Sequence, residues 1–151
     1  MFEPKRKWFY EIDWEDRTVL LKGILSIKEE DYGRFTELAL GAGMVEALAE
    51  EVGDWTFPEE DGPRGVLEWL GFSVHEGEEG VDFIYFEDDG YGRYRDDMGR
   101  AVFRCLRPVI GAGSVLVFME NWDEAEEKDP RIWRYTFDGE KMRVQDGRFV
   151  F

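Results

Sequence analysis

A chain of 151 residues that is 43% hydrophobic and 16% aromatic can build one packed domain over residues 1–151, and is too rich in aromatics for a disordered chain. Its 35 Asp and Glu against 19 Lys and Arg give a net charge of −16. That speaks against direct binding of nucleic acid, whose phosphates need cations, and against an anionic membrane surface. A single cysteine, Cys105, rules out an internal disulfide framework, and no apolar run has the length of a membrane span.

The first strand is expected over about 8–14, where Trp8, Tyr10, Ile12 and Trp14 alternate with Phe9, Glu11 and Asp13. The turn Glu15-Asp16-Arg17 leads to a second alternation, with Val19, Leu21, Gly23, Leu25 and Ile27 on one face, so the two strands are expected to pair as a hairpin. Phe35, Leu38, Ala42, Val45, Leu48, Ala49 and Val52 then recur at three- and four-residue spacing, predicting an amphipathic helix over about 30–52. Acids at 29–31 suit its positive end, and Gly41 and Gly43 mark a kink or a close contact in its middle.

Residues 54–65, with two prolines and four acids, read as an exposed loop. A second hairpin follows, of strands Val66 to Val74 and Val81 to Phe86 around an acidic turn over 75–80. The face of Tyr94, Met98, Ala101, Val102, Cys105 and Leu106 predicts a helix over about 91–107. Val115 to Met119 is an apolar strand and 123–130 a charged loop. Ile132 to Phe137 and Lys141 to Phe151 form a terminal hairpin around Asp138-Gly139, the strongest short turn signal in the chain. The order ββαββα followed by about three strands implies an α+β fold: an antiparallel sheet of six to seven strands with two main helices on one face.

The string Tyr-Gly-Arg-aromatic occurs at Tyr32-Gly33-Arg34-Phe35 and again at Tyr91-Gly92-Arg93-Tyr94. It admits a weak ββα duplication, although the core positions of the two helices do not align at that offset. In that arrangement Tyr32, Arg34, Tyr91 and Arg93 would line a cleft for an anionic small ligand.

Several chemistries lack their residues. His75 is the only histidine, and Ser26, Ser73 and Ser114 stand in no nucleophile elbow. Cys105 falls on the apolar face of a helix. One Cys and one His cannot make a zinc site, no EF-hand spacing occurs, and Gly-Ala-Gly at 41–43 and 111–113 does not continue as a phosphate-binding loop. No cofactor, metal or catalytic residue is therefore expected, although carboxylate chemistry stays open among so many acids.

The function expected is binding without catalysis. An acidic surface can occupy the basic groove of a nucleic-acid-binding protein or nuclease, in competition with the nucleic acid. Phage-encoded inhibitors of host defence or transcription, and immunity proteins, are functional analogies for such a nucleic-acid mimic. The candidate contact clusters are Glu59, Glu60 and Asp61; Glu76, Glu78 and Glu79; Glu87, Asp88 and Asp89; and Asp123, Glu124, Glu126 and Glu127. Trp69 and Trp122 are candidate aromatic anchors. The Met1–Arg6 start lacks the apolar core of a signal peptide, so the cytoplasm is the expected compartment.

Overall fold

The computed structural model describes residues 18–44, 46, 62–87, 91–92, 94–120 and 131–148. Its sheet contains β1 (Thr18–Lys28), β2 (Ser73–Gly77), β3 (Gly80–Tyr85), β5 (Val115–Glu120), β6 (Arg131–Phe137) and β7 (Met142–Arg148). A two-residue strand, β4 (Tyr91–Gly92), also pairs with β1. All pairings are antiparallel, in the spatial order β2-β3-β1-β5-β6-β7. Three helices, α1 (Tyr32–Leu40), α2 (Pro63–Trp69) and α3 (Asp96–Leu106), pack together with the sheet around one core. The fold class is the α+β arrangement that the periodicities predict.

The core is where alternating strand residues meet the helical faces. Leu25 and Ile27 of β1, Leu116 and Phe118 of β5, and Trp133, Tyr135 and Phe137 of β6 point inward. They meet Phe35 and Ala39 of α1, Val66 and Leu67 of α2, and Met98, Val102, Phe103 and Leu106 of α3. Phe118 forms the centre of an aromatic cluster, stacked on Tyr94 at 4.7 Å and on Trp133 at 5.6 Å.

Five expectations are corrected. The strand over 8–14, and with it the hairpin expected with β1, lies outside the described residues. β1 is not a clean alternation. Its register against β5 slips between Leu20 and Lys22, and Leu21 turns outward while Leu25 and Ile27 face the core.

The long helix over 30–52 is divided. A 3-10 turn at Glu29–Asp31 precedes α1, and Gly41 ends α1 with an extended backbone before residues 42–44 resume helical structure. The strand expected over Val66 to Val74 starts as α2 instead. Pro63 occupies the first turn, where its missing N–H costs nothing, and Val66, Leu67 and Leu70 form one buried patch. The helix expected over 91–107 starts at Asp96, because Tyr91 and Gly92 are paired to Val19 and Thr18. The turn over 75–80 contracts to Glu78 and Glu79, with β2 running to Gly77.

Candidate functional site

The site grows from the β2–β3 hairpin and an irregularity within it. His75 pairs with Phe83 and Glu76 with Val81, so Asp82 is an extra residue on β3. Such a bulge lets two successive side chains leave on the same side. Asp82 and Phe83 are both exposed, while Val81 and Ile84 are buried. His75 uses both neighbours. Its ring stacks on Phe83 at 4.5 Å, and its Nδ1 lies 2.7 Å from Asp82 Oδ1. A carboxylate only accepts, so Nδ1 carries the proton of this bond.

The hairpin tip is held by main chain. Glu29 N–H donates to the Glu79 carbonyl at 2.8 Å, tying the tip to the end of β1. Gly80 has φ +128°, and a Cβ there would fall onto the Ile27 carbonyl. Only glycine fits that close approach without strain.

From this hairpin the face of the sheet opposite the core runs across the strands. Cross-strand neighbours follow one another as His75, Phe83, Ile24, Val115, Thr136 and Arg143. The row begins aromatic, turns aliphatic in the middle and ends on a cation. A second row passes from Lys22 through Val117 to Arg134, whose Nε donates to Gln145 Oε1 at 2.5 Å. Among the described residues, five large hydrophobics are exposed, and four lie on β1 and β3: Leu21 at 49%, Ile24 at 45%, Phe83 at 41% and Tyr85 at 41%. Scattered single apolar residues are ordinary on a surface, but a group on one open face is typical of a contact site.

The acids of this region divide by role. Residues 73–87 contain five acids and neither Lys nor Arg. Glu78, Glu79 and Glu87 are exposed, and Asp82 is bonded to His75. Glu76 faces the helices. It accepts from the Tyr32 hydroxyl at 3.2 Å and from Arg64 at 3.2 Å, joining β2 to α1 and α2. Burial first, and then the Glu76 carboxylate, push the Tyr32 phenol up to about 12.

The other candidates are distributed as follows. Glu59, Glu60, Asp61, Asp88, Asp89, Trp122, Asp123, Glu124, Glu126, Glu127 and Arg93 lie outside the described residues. Trp69 is at the end of α2, half-buried against the core. Tyr32 opens a helix just beyond the end of β1, whereas Tyr91 pairs as a strand with Val19 near its start. Those ends are about 30 Å apart at roughly 3.3 Å per residue. Tyr32 and Tyr91 thus differ in local conformation and stand near opposite ends of β1. A shallow depression of about 200 Å³ lies near Lys28, Asp31 and Ile110. It falls short of the roughly 300–1,000 Å³ usual for ligand pockets.

A second polar group lies at the opposite side of the sheet. Tyr135 donates to Asp96 Oδ1, so the 2.7 Å bond between the phenols has Tyr94 as donor. Arg100 Nε is 2.6 Å from the other Asp96 oxygen, and Asp146 receives Arg100 at 3.1 Å and Arg131 at 2.6 Å. Burial raises both phenols, with mutual contact adding for Tyr94 and the Asp96 charge for Tyr135. Each group already has its partner here, and the cluster fastens α3 to β6 and β7. Cys105 is half-buried, and burial raises its thiol pKa, away from the reactive thiolate.

Among the described residues no cluster of three His, Cys, Asp or Glu is arranged to hold a metal, and no helix is long and apolar enough to cross a membrane. Comparison with known proteins returned no matching family model, no similar curated protein and no similar solved structure.

Sequence patterning missed the open-face hydrophobics. Their signal was present in β3, where Phe83 and Tyr85 alternate with Ile84 and Phe86 and both faces are apolar. In a sheet covered by helices on one side, such a strand must expose one set.

Proposed function

We propose that this chain is a non-catalytic protein-binding module of the cytoplasm that occludes a basic surface on another protein. The observation that supports it is the grouping of Leu21, Ile24, Phe83 and Tyr85 on one exposed sheet face, beside the segment 73–87, which carries five acids and no Lys or Arg. Aromatic side chains set in a charged rim supply contact energy, and the rim selects the partner's charge. Exposed ion pairs are each worth only about 0–1 kcal/mol, so the acids steer and the apolar face holds. A partner with a nucleic-acid-binding or nuclease groove fits best, because its cations are arranged to meet a dense row of negative charge. Inhibitors and immunity proteins that mimic nucleic acid work by this kind of occlusion.

The test is affinity capture from cells of the source organism with three baits: the wild-type chain, a Phe83→Ser/Tyr85→Ser variant, and a Glu78→Lys/Glu79→Lys/Asp82→Lys variant. Circular dichroism on each bait establishes that it is folded. A basic protein retained by the wild type should be lost with both variants, and its retention by the wild type should fall steeply with salt. Capture that ignores both salt and the acidic substitutions would overturn electrostatic occlusion.

A further inference from the structure

The sheet has two ends, and they differ in charge. Among the described residues β2 pairs only with β3, and β7 pairs only with β6. β7 and its neighbour β6 carry Arg143, Arg148, Arg131 and Arg134. β2 has no Lys, Arg or Pro, and the β2–β3 hairpin carries four acids, Glu76, Glu78, Glu79 and Asp82, with no Lys or Arg. Proteins commonly block an edge with lysine, proline or a covering loop. Among the described residues the cation that reaches β2, Arg64, is already bound to Glu76, and the exposed Glu78 and Glu79 at the tip repel another copy of a chain with net charge −16 and admit a cationic segment.

We propose that β2 is a strand-addition edge, and that its occupant is an extended, basic segment of the partner protein. This rests on the docking function proposed above and specifies how the partner is held. An added strand bonds through its main chain, which gives affinity without demanding one sequence, while alternate side chains set specificity. The surroundings of β2 fix that alternation. On the open face, the His75 ring stacked on Phe83 is a flat apolar platform next to the incoming strand. At the tip, the exposed Glu78 and Glu79 offer carboxylates to the cationic side chains of the segment. The segment that fits is therefore one that combines Arg or Lys with apolar residues, as an alternation of the two does. The bulge at Asp82 belongs to the same design, because it places a carboxylate and an aromatic ring on one face within two residues.

The probe is a short synthetic peptide alternating Arg with Val, together with two backbone-methylated versions. One is N-methylated on the amides of odd residues, the other on those of even residues. Methylation removes a main-chain donor as proline does, and leaves side chains and charge intact. The parent peptide should bind, and the amides of Ser73–Gly77 should gain protection from hydrogen exchange. One methylated version should bind at least about tenfold more weakly, since only alternate amides face a neighbouring strand. The other should bind like the parent. If both bind like the parent, strand addition is wrong while the acidic docking face stands. If the parent does not bind, strand addition is overturned and the capture experiment alone decides the docking function. If light scattering shows the free protein self-associating through this edge, the occupant is a second copy and the proposal fails.

Discussion

Tyr135 shows how one hydroxyl can hold several elements. It is wholly buried on β6, donates to Asp96 of α3, and accepts from Tyr94. Tyr135→Phe keeps the ring and leaves the Tyr94 hydroxyl without its acceptor and Asp96 without one donor. A buried polar group deprived of its partner costs about 1–3 kcal/mol, so urea denaturation should show a loss in that range. The pH dependence follows from the raised phenols of Tyr94 and Tyr135. Unfolded tyrosine releases its proton near about pH 10. The folded phenols keep theirs, so their stabilising effect is complete below that value and declines as pH rises above it. Stability should thus fall on the alkaline side in wild type, and fall less steeply in Tyr135→Phe. Equal slopes in urea titrations across that range would refute the assignment.

At the scale of elements, the β2–β3 hairpin depends on a glycine whose close approach another positive-φ glycine lacks. Gly80 combines positive φ with a neighbouring carbonyl where a Cβ would fall, whereas Gly113, at φ +89°, faces open space. Both Ala substitutions carry the backbone cost of about 1 kcal/mol, and Gly80→Ala adds a steric term. Gly80→Ala should therefore lower the urea midpoint more than Gly113→Ala. Similar losses for the two would mean that the tip is not clamped against β1.

The same scale shows what could be foreseen. The β6–β7 hairpin was legible because Asp138-Gly139 is a local signal. The Asp138 carboxylate accepts from the amides of Glu140 at 2.9 Å and Lys141 at 2.7 Å, and Gly139 takes φ +97°. The buried face of α3 was equally plain in Met98, Val102 and Leu106. The run Val66-Leu67-Glu68-Trp69-Leu70 was not, since a short apolar segment suits a strand or a buried helix turn alike. Pro63 was the better cue, as a helix start. The central place of β1 depends on partners 52 to 102 residues away in sequence, which no local pattern encodes. Of the candidate contact residues, Glu78, Glu79 and Glu87 stand exposed as expected, and Glu76 is drawn into a bond between helices and sheet. The hydrophobic part of the site escaped notice because two bulges, at Leu21 and Asp82, shift which side chains face outward.

For the whole molecule, the net charge of −16 acts in opposite senses on folding and on binding. Self-repulsion is strongest in the compact state and is screened by salt, with a Debye length of about 8 Å at 0.15 M and about 3 Å at 1 M. Added sodium chloride should raise the melting temperature of the free chain while weakening its hold on a basic partner. Calorimetry of the free protein and a binding titration over the same salt series would show the two trends diverging. Parallel trends would mean that apolar contact, and not charge, governs recognition.

The tip of the β2–β3 hairpin is fastened through the Glu79 carbonyl and the bare backbone of Gly80, with no part played by the side chains of Glu78 and Glu79. Folding therefore places little demand on the chemical identity of those two positions. Lineages carrying this fold can rewrite them as a partner changes, and a randomised library at 78 and 79 should yield mostly folded proteins. The tip serves as an exchangeable label on a fixed mount.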